Sequence, residues 1–158
     1  ESTFTKALNS VNLPARAQLI ETIQGCILID TAHNPAGAVA LRGVLSEQFA
    51  DVRPTLVIGM LADKDWQTVL ATLAPSVSRV ICVSVGSGRT LPAAELAEAA
   101  RQHCDDVLTA ESLADGMKMT GGDVLTVITG SVYLAGEALE WLGQTGGESQ
   151  RDLNEWKT

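Results

Sequence analysis

A chain of 158 residues, 46% hydrophobic and 19% charged, has the composition of a single globular domain. A chain of roughly 150 residues buries about 68–70% of its unfolded surface, so a core can form without disulfides or metals. The formal net charge of −8 argues against nonspecific binding to nucleic acid or to an anionic membrane, both of which need basic patches, though a local basic pocket is compatible with it.

Residues 1–10 read as a short helix or linker end. Leu19–Ile23 and Cys26–Ile29 are two apolar runs separated by Gln24-Gly25, which predicts a β-hairpin. A βα rhythm follows. Ile27–Ile29 leads into a helix near 36–49, with Leu41, Val44, Leu45 and Phe49 on one face. Thr55–Ile58 precedes a helix carried by Trp66, Val69, Leu70 and Leu73, and Val80–Val85 precedes one carried by Leu96, Ala97 and Ala100. Val107-Leu108 precedes a helix with Leu113, Ala114 and Met117. Val124–Ile128 precedes the last, with Val132, Ala135, Leu139 and Leu142. The strands are continuously apolar, as in a parallel sheet covered on both faces by crossover helices. The expected fold is therefore an α/β open sheet, mostly parallel, with an antiparallel edge strand and flanking helices. Residues 1–142 form the expected domain, and 143–158 a polar, Gly-rich tail.

Cys26, Cys82 and Cys104 are odd in number and lack CxxC spacing. The first two sit in apolar runs and read as small buried hydrophobes, which fits a reducing, cytoplasmic setting. No run approaches about 18 continuous apolar residues, so no membrane-spanning helix is expected, and no signal peptide is read. The chain opens on Glu1 without a methionine, which leads us to expect a piece of a longer protein.

In an open α/β sheet, ligands bind beyond the carboxyl ends of the strands. The loops there are Asp30-Thr31-Ala32-His33-Asn34-Pro35, Gly59–Asp65, Gly86-Ser87-Gly88-Arg89-Thr90 and Thr129-Gly130-Ser131. All four concentrate polar and charged residues. Asp30 can accept hydrogen bonds from ribose hydroxyls, or can serve as a helix N-cap or Asx turn. His33 is either a cleft residue or a solvated loop histidine. Asn34-Pro35 marks a turn and a helix start. Lys64 can meet a substrate carboxylate, while Asp63-Lys64-Asp65 can equally be a charged helix start. Arg89 can meet a phosphate or carboxylate, or lie exposed without a role. Ser131 offers a hydroxyl and helix-start N–H groups to an anion, or simply an N-cap. His103 reads as a surface residue late in a helix. There is no GxxxxGK[ST] phosphate loop, no GxGxxG, no metal-spaced His/Cys/carboxylate cluster and no GxSxG elbow. The residues alone give an α/β domain with a polar crevice and an incomplete catalytic set.

Four elements occur in order: Pro14-Ala15-Arg16, Asp30-Thr31-Ala32-His33-Asn34-Pro35, Ile58–Asp65, and Thr129-Gly130-Ser131-Val132-Tyr133-Leu134. Together they resemble the C-terminal domain of folylpolyglutamate and dihydrofolate synthases, relatives of the Mur ligases of cell-wall synthesis. The resemblance covers about residues 10–142, and the DxAHNP element is its most specific part.

It implies a Rossmann-like domain partnered by an N-terminal ATPase domain that carries the phosphate loop and the Mg²⁺ sites. ATP phosphorylates the terminal carboxylate of dihydropteroate or a reduced folate, and the amino group of L-glutamate then attacks the acyl phosphate. Such chemistry rests on positioning and charge neutralisation. By resemblance, Arg16 contacts ATP across an interdomain cleft, Asp30 holds the ribose, His33 is the catalytic-cleft histidine, and Lys64 and Ser131 hold the incoming amino acid. The family usually has Pro-Gly-Arg where this chain has Pro14-Ala15-Arg16, and losing that glycine removes easy access to positive φ. Without the phosphate loop, this stretch by itself is expected to be inactive. Two alternatives stand beside this reading: a Mur-type ligase acting on a cell-wall nucleotide, and a noncatalytic α/β domain that binds a nucleotide or a protein.

Overall fold

A computed structural model describes residues 17–144. β1 (Ala17–Thr22) and β2 (Gly25–Asp30) pair antiparallel in register Thr22↔Gly25. The hairpin therefore turns on Ile23-Gln24, one residue earlier than the glycine position predicts. The reason lies outside the hairpin. Gly25 opens β2 with φ +148°, and a Cβ there would run into the carbonyl oxygen of Asp123. The glycine answers a close approach from the start of another strand, and the turn falls to its neighbours.

Then come α1 (Pro35–Gln48), β3 (Thr55–Ile58), α2 (Trp66–Leu73), a 3₁₀ turn (Ala74–Ser76), β4 (Arg79–Val83), α3 (Ala93–Ala100), β5 (Val107–Ala110), α4 (Leu113–Lys118), β6 (Leu125–Thr129) and α5 (Val132–Gln144). Among the described residues the six strands form one sheet in the order β1-β2-β6-β3-β4-β5. Every pairing except β1–β2 is parallel. This is the mostly parallel α/β sheet with one antiparallel edge strand that the hydrophobic pattern predicts.

Alternate strand residues feed two cores, one on each face of the sheet. On the first face, Leu28, Leu56, Ile58, Val80, Cys82 and Val127 pack with α1, α2 and α3. On the second, Ile29, Val57, Ile81, Val83 and Ile128 pack with α4 and α5. Covering both faces explains why the strands read as unbroken apolar runs. Cys26 and Cys82 lie in the first core as free thiols. Burial pushes the Cys82 thiol up to about 12 and, helped by Glu21, the Cys26 thiol up to about 11.

The helix faces agree with the sequence periodicity except in α5. There Val132 and Leu139 are 61% and 46% exposed. The buried face is instead Leu134, Ala135, Ala138 and Leu142. Ala138 packs into the second core, and Leu139 beside it faces outward. α5 runs on to Gln144, and residues 145–158 lie outside the described residues, as do residues 1–16. His103 sits exposed in the turn after α3 rather than within a helix. Among the described residues no helix is long and apolar enough to cross a membrane.

The topology creates the crevice. β2 and β6 are neighbours, but α1 leaves β2 for one face and α5 leaves β6 for the other. Their loops diverge at the carboxyl edge of the sheet, which is the switch point where open α/β sheets hold ligands.

Candidate active site

The loop after β2 is rigid for local reasons. Asp30, 6% exposed, ends the strand, and its Oδ1 accepts the Ala32 N–H at 2.7 Å. It therefore forms an Asx turn, while the helix cap falls to Asn34. The Asn34 side chain accepts the Gly37 N–H at 2.8 Å, and Pro35 fills the first helical position. His33 Nδ1 lies 2.9 Å from the Thr31 carbonyl oxygen. A carbonyl only accepts, so this bond requires the proton on Nδ1 and leaves the Nε2 side of the ring for a ligand.

The loop after β6 is fixed by close approach. Gly130 has φ +111°, and a Cβ there would meet the Gly59 carbonyl oxygen and the Met60 sulfur. Only glycine fits this turn. The turn places Ser131, 2% exposed, at the start of α5, where its Oγ accepts the Tyr133 N–H at 3.0 Å. Thr129, fully buried, donates from Oγ1 to the Ala32 carbonyl at 3.4 Å, joining this strand end to the His33 loop.

The loops after β3 and β4 are knitted together. Leu61 and Thr90 form an antiparallel bridge, the Leu91 N–H donates to Met60 O at 2.8 Å, and the Ala62 N–H donates to Arg89 O at 2.9 Å. Asp65 caps α2 through the Thr68 N–H at 3.3 Å. Asp63 pairs with Arg89, Oδ2 to Nη1 at 3.1 Å. The charged triplet thus divides its work: one acid caps a helix, one pairs with an arginine, and Lys64 between them faces the cleft.

These loops enclose a cleft of about 180 Å³ lined by His33, Leu61, Lys64, Arg89, Gly130, Ser131, Val132 and Tyr133. Pockets for drug-sized ligands begin near ~300 Å³, so this volume suits a small substrate. Its walls carry two permanent cations, a histidine and the positive end of a 13-residue helix, a set that favours an anion. Four of the residues singled out from the sequence, His33, Lys64, Arg89 and Ser131, meet here. Asp30 stands at the end of β2 and does not line the cleft. Arg16 lies outside the described residues. Sequence reasoning missed Glu137, on the second turn of α5, whose Oε1 accepts the Gly86 N–H at 2.6 Å and ties down the loop that carries Arg89. A single helical glutamate gives no signal of this in sequence.

A family profile described as the Mur ligase, glutamate ligase domain matches residues 15–132. The chain belongs to this family. The Mur ligase domain is similar to the dihydrofolate synthase/folylpolyglutamate synthase of Mycobacterium tuberculosis, with 36% identity over 155 residues, 85% of this chain and 31% of that protein. Among solved structures it is similar to the M. tuberculosis folylpolyglutamate synthase complexed with ADP and AMPPCP. Identity is 38% and the TM-score 0.69, covering 75% of this chain and 30% of that one. It also resembles the folylpolyglutamate synthase of Thermotoga maritima, at 30% identity and TM-score 0.76, covering 87% of this chain and 32% of that one. The chain spans about a third of the length of the curated relatives it matches.

Proposed function

We propose that this chain is the C-terminal domain of a cytoplasmic, ATP-dependent ligase that adds L-glutamate to dihydropteroate, to reduced folates, or to both. The observation that carries the reading is the small cationic cleft in which Lys64, Ser131 and His33 meet. Lys64 is a mobile point charge and Ser131 a helix-start hydroxyl, a pair suited to an amino acid's carboxylate. The names of the similar enzymes supply the pteridine class.

In this reading the carboxyl group of the acceptor arrives as an acyl phosphate. The glutamate nitrogen attacks the carbonyl carbon, the new C–N bond replaces the C–O bond, and phosphate leaves with the electron pair. The nitrogen must shed a proton, and His33 is the group placed to receive it or to steady the departing phosphate. Asp30 would take the ribose of ATP and Arg16 its phosphates, with the remaining contacts supplied by an N-terminal ATPase domain. Among the described residues no three His, Cys, Asp or Glu are grouped to hold a metal. In this reading the Mg²⁺ that accompanies ATP is held mainly by the N-terminal domain.

The test is glutamate-dependent ADP release by the full-length enzyme, measured separately with dihydropteroate and with a reduced folate, and with a cell-wall nucleotide as control. Release with either pteridine is the expected result. Release only with the cell-wall nucleotide would replace this reading by a Mur-type one. Asp30→Ala should raise the ATP requirement of the active enzyme.

A further inference from the structure

We infer, resting on the ligase reading above, that Glu137 is a positioning residue for the reaction. Its carboxylate ties α5 to the loop after β4 and so sets the spacing between two walls of the cleft, although Glu137 itself does not line it.

One wall is the start of α5, with Ser131, Val132 and Tyr133, and another is made by the loops after β3 and β4, with Lys64 and Arg89. The strands that lead into α5 and into the Arg89 loop, β6 and β4, are not neighbours, because β3 lies between them. At two strand spacings their ends stand about 10 Å apart, too far for ladder hydrogen bonds to join them. Val85 shares the second core with Leu134 and Ala138, but apolar contact has no preferred direction. Glu137, on the second turn of α5, supplies the direction: its Oε1 accepts the Gly86 N–H at 2.6 Å, across 51 positions of sequence.

What holds Gly86 also holds both cations. Within the loop the Val85 N–H donates to Thr90 Oγ1 at 2.8 Å and the Arg89 N–H to Ser87 Oγ at 3.2 Å. The Leu61–Thr90 bridge and the Ala62 N–H to Arg89 O bond of 2.9 Å then fasten this loop to the one that carries Lys64. The two loops form one body, and Glu137 is its side-chain tie to α5. Misplacing binding groups by about 1 Å is enough to cost an enzyme dearly.

Gly86 adds an independent sign. It is not among the glycines with positive φ, so its backbone conformation does not call for glycine. A Cβ there would run into the Glu137 carboxyl group and, leaving aside its chain neighbours, into no other described atom within 4 Å. The missing side chain leaves room for this one carboxylate.

Steady-state kinetics and urea denaturation of the full-length enzyme test the assignment. In Glu137→Ala we expect KM for glutamate to rise about tenfold, the scale of one charge-assisted hydrogen bond, with kcat and the urea midpoint little changed. Glu137→Gln keeps an oxygen acceptor and should bring KM back near the wild-type value. Gly86→Ala pushes the same carboxyl group aside and should raise KM as Glu137→Ala does. The double variant Gly86→Ala/Glu137→Ala should be no worse than either single one, because both remove one contact. An unchanged KM in Glu137→Ala, a glutamine variant as impaired as the alanine one, additive effects in the double variant, or urea midpoints that fall in step with the kinetic loss would overturn the assignment while the ligase reading stands. A folded wild-type enzyme that releases no ADP with glutamate would overturn both.

Discussion

At the amino-terminal edge of the sheet, polar side chains are committed to the fold. The Thr55 hydroxyl, on a residue 2% exposed, donates to Asp123 Oδ2 at 2.6 Å. Arg53 donates to the carbonyls of Pro75 and Val77 at 3.0 Å each, and Arg79 pairs with Asp106 at 2.8 Å. At the carboxyl edge the commitments are made by backbone, glycine and cap residues, namely Gly130, Asn34, Ser131 and the Leu61–Thr90 bridge. Among the described residues the Lys64 ammonium has no hydrogen bond or ion pair. The two edges are built from the same strands, yet the first satisfies these polar groups internally and the second leaves the Lys64 ammonium open to a ligand. Substitutions at the first should therefore cost stability, and side-chain substitutions at the second should cost activity.

The largest effect expected is at His33. His33→Ala should cut turnover by about 100- to 1000-fold, the scale of general acid–base catalysis, with stability changed by about 0.5 kcal/mol or less. Steady-state kinetics alongside urea denaturation would check both halves, and a large stability loss would break the contrast. Gly130→Ala probes a residue at this edge that is purely structural. It forces a side chain into positive φ and against the Gly59 carbonyl, and should destabilise by about 3 kcal/mol. Asp123→Ala tests the opposite edge. It leaves the buried Thr55 hydroxyl without its acceptor and should cost about 1–2 kcal/mol in urea titration, with KM and kcat unchanged.

The smallest effect belongs to the core between the edges. Burial holds the Cys82 thiol at about 12 against an ordinary 9.0, so the neutral form is favoured in the folded chain. Below 9.0 both folded and unfolded chains carry the thiol and its full contribution is present. As pH rises from 9.0 toward 12 the unfolded chain ionises first, so stability is lost across that window. At pH 10 the loss should be about 1 kcal/mol, and Cys82→Ala should flatten this part of the stability–pH curve.

How much of this was legible beforehand depends on the range of the interaction. Continuous apolar runs marked β3, β4 and β6, because burial on both faces leaves no alternation. Asn34-Pro35 marked a helix start, because capping is local. The DxAHNP element and the Ile58–Asp65 element carried the resemblance, and with it the proposed roles of Asp30, His33 and Lys64. The helix face of α5 was misread at Val132 and Leu139, since periodicity fixes a stripe's spacing and neighbouring surfaces fix its rotation. Glu137 was invisible, because its partner Gly86 is 51 residues away.

By itself, then, the sequence determined the succession of strands and helices and the two-sided burial of the sheet, both of which follow from contacts within a few positions along the chain. Only the tertiary structure decided that β6, the last strand, inserts between β2 and β3. That insertion sets Ser131 beside His33 although they are separated by nearly 100 residues in the chain, and it aligns Lys64 and Arg89 in the same row. Strand order is settled by which apolar surfaces pack together once the chain closes on itself, and no local pattern of residues encodes it.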